Sequence, residues 1–185
     1  MPRLFSALEI PRKIAAQLAY FRGGLNGARW IEPEDYHITL RFFGDVDLHT
    51  ARALDEALIE TEHFSAGAAL TLELDELAVF GGSQPRTLYA RVKPDALLTR
   101  LQAAHESLAR RNGLAPETRK FTPHVTLARL KGVEPETLVA WLSTRAFPLG
   151  QKFDVSRFAL MSSRDSIGGG PYRLEANYDF AGDAH

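Results

Sequence analysis

The sequence predicts an α+β fold in which two similar halves are related by a pseudo-two-fold axis. The tetrapeptide His-x-Thr-Leu occurs twice, starting at His37 and at His124, 87 residues apart. Each copy lies in the same order of strand and helix patterns, and a glycine-rich turn ends each half, with prolines at Pro85 and Pro171. An internal repeat of this kind predicts a bilobal, duplicated fold with largely antiparallel sheets facing a central cleft and helices outside.

The first half reads as strand, helix, strand, helix, strand. The apolar run RLFSALEI is a short strand stopped by Pro11, and a helical pattern continues from there to about Arg22. The strand YHITLRFFGD contains the first motif. A second helical pattern, DLHTARALDEALIETEHF, precedes a strand with alternating leucines, LTLELDELAVF. The turn GGSQP then ends the half.

The second half repeats these elements. The strand TLYARV is stopped by Pro94, a longer helix is expected to about Asn112, and the strand PHVTLARL holds the second motif. The helix EPETLVAWLSTRAF has Pro135 in its first turn, a position that proline favours. One strand, FDVSRFALM, and the turn GGGPY follow. We expect one two-lobed domain over residues 1–185, with a flexible tail at about 181–185.

The first motif strand combines a polar face with an apolar one. Alternation of side chains places His37, Thr39 and Arg41 on one face. The other face is apolar and is predicted to lie in the core: Ile38, Leu40 and Phe42. A polar strand face alone is most simply a solvated surface.

The second motif strand makes that simple interpretation insufficient. His124 and Thr126 repeat the spacing, and Arg129 is expected further along on the face of the histidine. By chance, two such matches among six histidines would arise with odds on the order of one in a thousand. We therefore expect the two strands to face each other across the cleft.

The bulk properties narrow the possible functions. A formal net charge of -1 provides no general attraction for long polyanions, so a nucleic-acid contact is expected to be local. The absence of cysteine excludes disulfides, thiolate nucleophiles and iron–sulfur clusters. The start of the chain lacks the apolar run of a signal peptide, and no membrane-spanning segment is evident. We expect a cytoplasmic monomer.

Two histidines with two threonines suit displacement at phosphorus. Imidazole titrates near neutral pH and can act as acid or base, while hydroxyl groups donate to oxyanions. A catalytic zinc site usually needs three protein ligands, and no acidic residue has a suitable spacing on these strands. We therefore predict neither a metal nor a cofactor. No serine-nucleophile elbow or Walker motif is present.

The segments RLFSALEIP, WIEPEDYHITLRFFGD and RKFTPHVTLARL resemble the two-histidine phosphoesterase superfamily. More narrowly, they resemble the RNA 2',3'-cyclic phosphodiesterases, also called LigT-like 2'-5' RNA ligases. The resemblance implies a hydrolase that opens 2',3'-cyclic phosphate ends of RNA to 2'-phosphates without a metal. It also implies, for some members, reversible joining of RNA by a 2'-5' linkage.

The resemblance implies roles for five residues. His37 and His124 would be catalytic, and Thr39, Thr126 and Arg129 would bind the phosphate. On pseudo-symmetry alone the roles of acid and base remain open between the two histidines.

Other residues are weaker candidates. Phe5 and Phe121 could stack on a base, although core packing is the alternative use of both rings. Tyr172 and Arg173 could border the site. Three other charged side chains near the motifs are expected at a solvated rim: Arg119, Lys120 and Lys131. Arg41 shares the face of His37 by alternation but could equally point past the cleft. The other histidines receive no function: His49, His63, His105 and His185.

Two alternative functions remain open at this point. One keeps the site but replaces the substrate by 2'-5' oligonucleotides or small cyclic nucleotides. The other is a noncatalytic protein that binds RNA ends, against which the two titratable groups argue.

Overall fold

The computed structural model describes residues 3–61, 69–147, 150–163 and 170–180. The predicted flexible tail, together with His63 and His185, lies outside the described residues. Within them the strands are β1 Arg3–Glu9, β2 Ala28–Trp30, β3 His37–Asp45, β4 Leu70–Phe80, β5 Thr87–Val92, β6 His124–Leu130, β7 Gln151–Val155, β8 Arg157–Ser163 and β9 Tyr172–Asp179. The helices are α1 Arg12–Ala19, α2 Leu48–Ile59, α3 Ala96–Arg111 and α4 Pro135–Ser143, and a short 3-10 turn covers Pro33–Asp35.

The strands form one antiparallel sheet with a two-fold pattern. The order is β7-β4-β5-β6-β3-β1-β8-β9, with β2 paired to β6. The motif strands β3 and β6 meet in the middle through a single residue pair, Ile38 with Val125. On either side of that pair lies a group of four strands, and the predicted α+β fold is confirmed.

The two groups of strands exchange members. β4, from the first half of the chain, pairs with β5 and β7. β8, from the second half, pairs with β1 and β9. Neither half of the chain therefore contains a complete group of strands, a feature that the repeat in the sequence did not predict.

Three strand assignments need correction. The segment predicted as one strand, FDVSRFALM, is two strands, β7 and β8, that separate at Ser156 and pair with different neighbours. β2 and β9 were not predicted. β2 has only three residues, too few to show a period. β9 does alternate apolar and polar residues from Tyr172 to Asp179, but the prediction interpreted this segment only as part of the glycine-rich turn.

A β-bulge in β3 corrects the predicted core face. Pairing passes from Thr39 with Ala7 to Arg41 with Ser6, so Leu40 is an extra residue. Side-chain alternation shifts by one position after the bulge. Arg41 is consequently buried, with 8% of its surface exposed, whereas Phe42 is 45% exposed. The prediction that Phe42 lies in the core is wrong.

β6 carries the matching bulge. Pairing passes from Thr126 with Tyr89 to Ala128 with Leu88, so Leu127 is the extra residue. Arg129 is five residues after His124, and strict alternation would send the two side chains to opposite faces. The bulge brings Arg129 back to the face of His124.

The helices each bury one apolar stripe against the sheet. Two of them have side-chain caps, since the Asp47 and Asp95 carboxylates accept from the backbone N–H groups of Thr50 and Leu98. The buried positions include Ile14 and Leu18 of α1, Leu54 and Leu58 of α2, Leu101 and Leu108 of α3, and Leu138 and Trp141 of α4. None of the described helices is long and apolar enough to cross a membrane.

Arg41 connects β3 to the segment that leads into β6. Its Nε donates to Glu106 Oε2 of α3 at 2.5 Å, and a terminal nitrogen donates to the Ala115 carbonyl at 2.5 Å. Glu106 also accepts from the backbone N–H of Glu117 at 3.1 Å. A buried ion pair with these added hydrogen bonds fixes the approach to the second motif. The guanidinium of Arg41 is therefore held by structural contacts.

His105 is a buried titratable group away from the motifs. Its Nδ1 is 2.8 Å from Ser6 Oγ of β1, and its ring contacts Phe158 of β8 edge-on at 4.7 Å. Burial lowers the pKa of His105 from 6.5 to about 3. The folded protein thus holds this imidazole neutral.

We predict that His105 makes stability fall in mild acid. The unfolded chain binds a proton at His105 below pH 6.5, whereas the folded chain resists it until about pH 3, so stability is lost as the pH falls across this window. His105→Gln retains a neutral hydrogen-bonding group that does not titrate. The free energy of unfolding, measured with denaturant at pH 7, 5.5 and 4.5, is expected to fall more steeply with decreasing pH in the wild type than in His105→Gln. The two slopes should differ by up to about 1.4 kcal/mol per pH unit. Parallel pH dependences would contradict this account.

Candidate active site

Both motifs open into one cavity at the junction of β3 and β6. The cavity has a volume of about 520 Å³. Its walls include the five residues expected to act on the phosphate and one of the two expected to stack on a base: His37, Thr39, His124, Thr126, Arg129 and Phe121. Side chains that are related in the sequence by pattern alone therefore share one cavity.

Backbone carbonyls fix the same tautomer in both histidines. Nδ1 of His37 is 2.7 Å from the Asp35 carbonyl oxygen, and Nδ1 of His124 is 2.6 Å from that of Thr122. A carbonyl can only accept, so each Nδ1 carries the hydrogen and each neutral ring keeps its lone pair on Nε2. At His37, the Thr39 hydroxyl lies 3.1 Å from Nε2 and can donate to it.

Each imidazole packs against two aromatic rings. Phe5 and Tyr172 lie 5.0 and 4.9 Å from the ring centroid of His37. Phe80 and Tyr89 lie 5.0 and 5.1 Å from that of His124, both edge-on. These contacts hold the imidazole planes in place and remove water from their faces.

The environment lowers the pKa of both histidines. Burial is the main cause of the lowered pKa of His37, which is about 4, and the charges of His124 and Arg129 act in the same direction. Burial also lowers the pKa of His124, with a smaller contribution from Arg129. The hydrogen bonds to the Asp35 and Thr122 carbonyls oppose these shifts. In the free protein at neutral pH both rings are therefore uncharged.

Arg129 has unused hydrogen-bonding capacity inside the cavity. One terminal nitrogen donates to Thr87 Oγ1 at 3.0 Å. Its Nε is buried and has no hydrogen-bond partner within the described part of the chain. A buried donor without a partner is costly, and an anion bound between the histidines would satisfy it.

Asp35 links His37 to the start of β9. Its carbonyl accepts from His37, and its carboxylate accepts from the Tyr172 backbone N–H at 3.0 Å. Gly170 permits this contact because its φ is +80° and a Cβ there would lie 2.1 Å from an Asp35 carboxylate oxygen. Asp35 has no signal in the sequence, because its partner at the start of β9 is far away along the chain.

The predicted border of the site is half right. Tyr172 lines the cavity beside His37, as expected. Arg173 does not line it, because alternation turns its side chain outward, where it is mostly exposed near Glu175 at 3.8 Å. Lys131 is also outside the cavity lining and exposed.

The aromatic candidates occupy different positions. Phe5 is only 1% exposed, so it offers no free face to a base and serves as core packing behind His37. Phe121 is partly buried and lines the cavity while packing against the core. Phe42, which was assigned to the core, instead lines the cavity. Phe42 follows His37 by five residues, as Arg129 follows His124. This equal spacing is the one signal in the sequence that could have placed Phe42 in the cavity wall.

The charged rim contains both paired and unpaired groups. Arg119 forms a two-pronged pair with Glu117, with contacts of 3.0 and 2.8 Å, and both side chains line the cavity with Lys120.

Across the described segments, no group of three or more histidine, aspartate or glutamate side chains is arranged to hold a metal ion.

Comparisons with known proteins agree with this geometry. A sequence model of the 2'-5' RNA ligase superfamily matches residues 10–166. An RNA 2',3'-cyclic phosphodiesterase of Bacillus subtilis (strain 168) is 29% identical over 170 residues, which are 90% of this chain and 86% of that protein. An RNA 2',3'-cyclic phosphodiesterase of Geobacillus stearothermophilus is 31% identical over 124 residues, 64% of this chain and 39% of that protein.

Solved structures share the fold. A Thermus thermophilus protein, TT0787, superposes with a TM-score of 0.76 at 23% identity, covering 98% of this chain and 99% of the other. E. coli LigT in complex with 3'-AMP superposes with a TM-score of 0.73 at 24% identity, covering 97% and 98%. Since the sequence model spans most of its length, the chain belongs to the 2'-5' RNA ligase superfamily.

Proposed function

We propose that the protein is an enzyme that hydrolyses the 2',3'-cyclic phosphate at RNA ends to a 2'-phosphate. The observation that carries the proposal is the pair of imidazoles in one cavity, each with Nδ1 bound to a carbonyl and Nε2 left to exchange protons. Arg129 supplies the positive charge that a phosphate between them requires. The names of the relatives in Bacillus subtilis and Geobacillus stearothermophilus support the same activity.

Each group then has a defined task in an in-line displacement. His124 Nε2 takes a proton from water as the water oxygen forms a bond to phosphorus. The bond between phosphorus and the 3'-oxygen breaks, and His37 Nε2 gives its proton to that oxygen. The products are a 3'-hydroxyl and a 2'-phosphate. The hydroxyls of Thr39 and Thr126 and the guanidinium of Arg129 donate to the non-bridging oxygens.

Substrate binding supplies the protonation state that this mechanism needs. One histidine has to be charged, whereas both are neutral in the free protein because of their lowered pKa values. The negative charge of a bound cyclic phosphate offsets the charge of Arg129 and raises the pKa of a nearby imidazole. The proton that His37 delivers is thus taken up together with the substrate, and His124 releases one afterwards.

The same groups can join RNA ends. If a 5'-hydroxyl of a second RNA replaces water, His124 takes its proton and a 2'-5' phosphodiester forms while the 3'-oxygen leaves. The reverse reaction uses the same two proton transfers.

A cytoplasmic location and a monomeric state remain predictions from the sequence.

Product analysis tests the function directly. An oligonucleotide with a 2',3'-cyclic phosphate is expected to be converted to a product with a 2'-phosphate and a free 3'-hydroxyl. A 3'-phosphate product would contradict the assigned bond cleavage. Turnover of 2'-5' oligonucleotides or small cyclic nucleotides alone would favour the alternative substrate, and binding without turnover would leave an RNA-end binding protein.

We expect Arg129 to matter far more than a neighbouring surface charge. Arg129→Ala removes a buried, charge-assisted contact to phosphate and should lower kcat/KM by about 10- to 100-fold. Lys131→Ala, which removes an exposed charge two residues away, should stay within about twofold. Circular dichroism and thermal unfolding would establish that both variants fold. Equal, small effects would remove Arg129 from the phosphate site.

The roles of the histidines can be separated by the leaving group. General acid or base catalysis contributes about 10²- to 10⁴-fold, but a leaving group of low pKa needs little protonation. His37→Ala should therefore retain much more relative activity on an activated phosphodiester than on the cyclic phosphate, while His124→Ala stays poor on both. Rescue of His124→Ala alone would reverse the roles, and rescue of neither would exclude a simple acid and base pair.

A further inference from the structure

Arg86 lies where the active-site cavity meets a second depression. It lines both, and the second has a volume of about 480 Å³. The rest of that depression comes from the turn before β5 and from the segment between β6 and α4, including Gln84, Leu130 and Glu134. The two depressions therefore adjoin at Arg86, the residue that their walls share.

The backbone around Arg86 is fixed on both sides. Its N–H donates to the Phe80 carbonyl at 2.8 Å, and its carbonyl accepts from the Leu130 N–H at 2.8 Å. Gly81 allows the tight turn, since its φ is +118° and a Cβ would come within 2.2 Å of the Gln84 carbonyl oxygen. Arg86 also directly precedes Thr87, the residue that accepts from Arg129.

The cavity has more positive charge than one cyclic phosphate requires. Three of its cations have no ion-pair partner in the described part of the chain: Arg86, Lys120 and Arg129. A cyclic phosphodiester bears a single negative charge, and Arg129, whose Nε is buried and without a partner in the described part of the chain, is placed to meet it. Arg86 and Lys120 are left for a second anion, and of these two only Arg86 also lines the second depression.

We propose that Arg86 binds the phosphodiester on the 5' side of the terminal nucleotide and that the second depression holds the preceding nucleoside. This rests on the proposed function. Glu134 in the wall of the depression disfavours a further phosphate there but tolerates a neutral ribose and base. The enzyme is thereby specific for oligonucleotide ends rather than free cyclic mononucleotides.

Comparison of two substrates tests the role of Arg86. Wild type should show kcat/KM about tenfold higher for a tetranucleotide ending in a 2',3'-cyclic phosphate than for the cyclic mononucleotide, since a charge-assisted contact is worth about this factor. Arg86→Ala should lose most of this advantage while its mononucleotide turnover, which also reports folding, stays within about twofold. Arg12→Ala, which removes an exposed guanidinium on α1, should resemble wild type.

A neutral linkage identifies the contact. The second substrate is a tetranucleotide whose last internucleotide phosphate is replaced by an uncharged methylphosphonate. Wild-type kcat/KM for it should be lower than for the unmodified tetranucleotide by the same factor that Arg86→Ala causes. Combined with Arg86→Ala it should cause little further loss, because both changes remove one interaction. The wild-type preference should also weaken with added salt.

Three outcomes would overturn this proposal. They are a wild type without preference for the tetranucleotide, an Arg86→Ala variant equally impaired on both substrates, and additive effects of the methylphosphonate and the substitution. In each case continued opening of the cyclic phosphate leaves the proposed function intact. Absence of turnover on every cyclic phosphate would reject the proposed function itself.

Discussion

One extra residue in each of two strands determines what the cavity contains. The bulges at Leu40 and Leu127 shift the alternation of β3 and β6 directly after the His-x-Thr pairs. Without them, strict alternation would place the side chains of Phe42 and Arg129 on the face of the sheet opposite the histidines. The two arginines on the motif strands thus have different surroundings, since Arg41 pairs with Glu106 while the Arg129 Nε has no partner in the described part of the chain.

The site is symmetric where protons are exchanged and asymmetric where charge is held. Both imidazoles donate through Nδ1 to the carbonyl two residues earlier, and both lie against two aromatic rings. Five residues after each histidine, however, one strand has Phe42 and the other Arg129. A single phosphate needs one cation, and the substrate must bind in one direction. The duplicated scaffold places the two histidines in equivalent positions, and the arginine on only one strand makes the two sides of the cavity different.

The sequence was sufficient for the repeat, the α+β class, the main helices and the five residues that line the cavity around the motifs. These features have local periodic signals or recur at equal spacing. The bulges were not predictable, because register is set by pairing with neighbouring strands rather than by the strand itself. The contact of Asp35 with the start of β9 also depends on residues far apart in the chain. β9 has a local signal, because apolar residues alternate with polar ones from Tyr172 to Asp179, and it was missed only because the segment was interpreted as part of a glycine-rich turn.

The exchange of β4 and β8 has a consequence for how the chain is made. β1 is synthesised well before its partner β8, since about 150 residues lie between Arg3 and Arg157. At about 5 to 20 residues per second, roughly 8 to 30 s of synthesis separate the two strands. During that interval one edge of β1 lacks its native neighbour, and closing so long a loop is slow. A nascent chain of this architecture has an apolar strand, from Leu4 to Leu8, that a chaperone could shield until β8 has been synthesised.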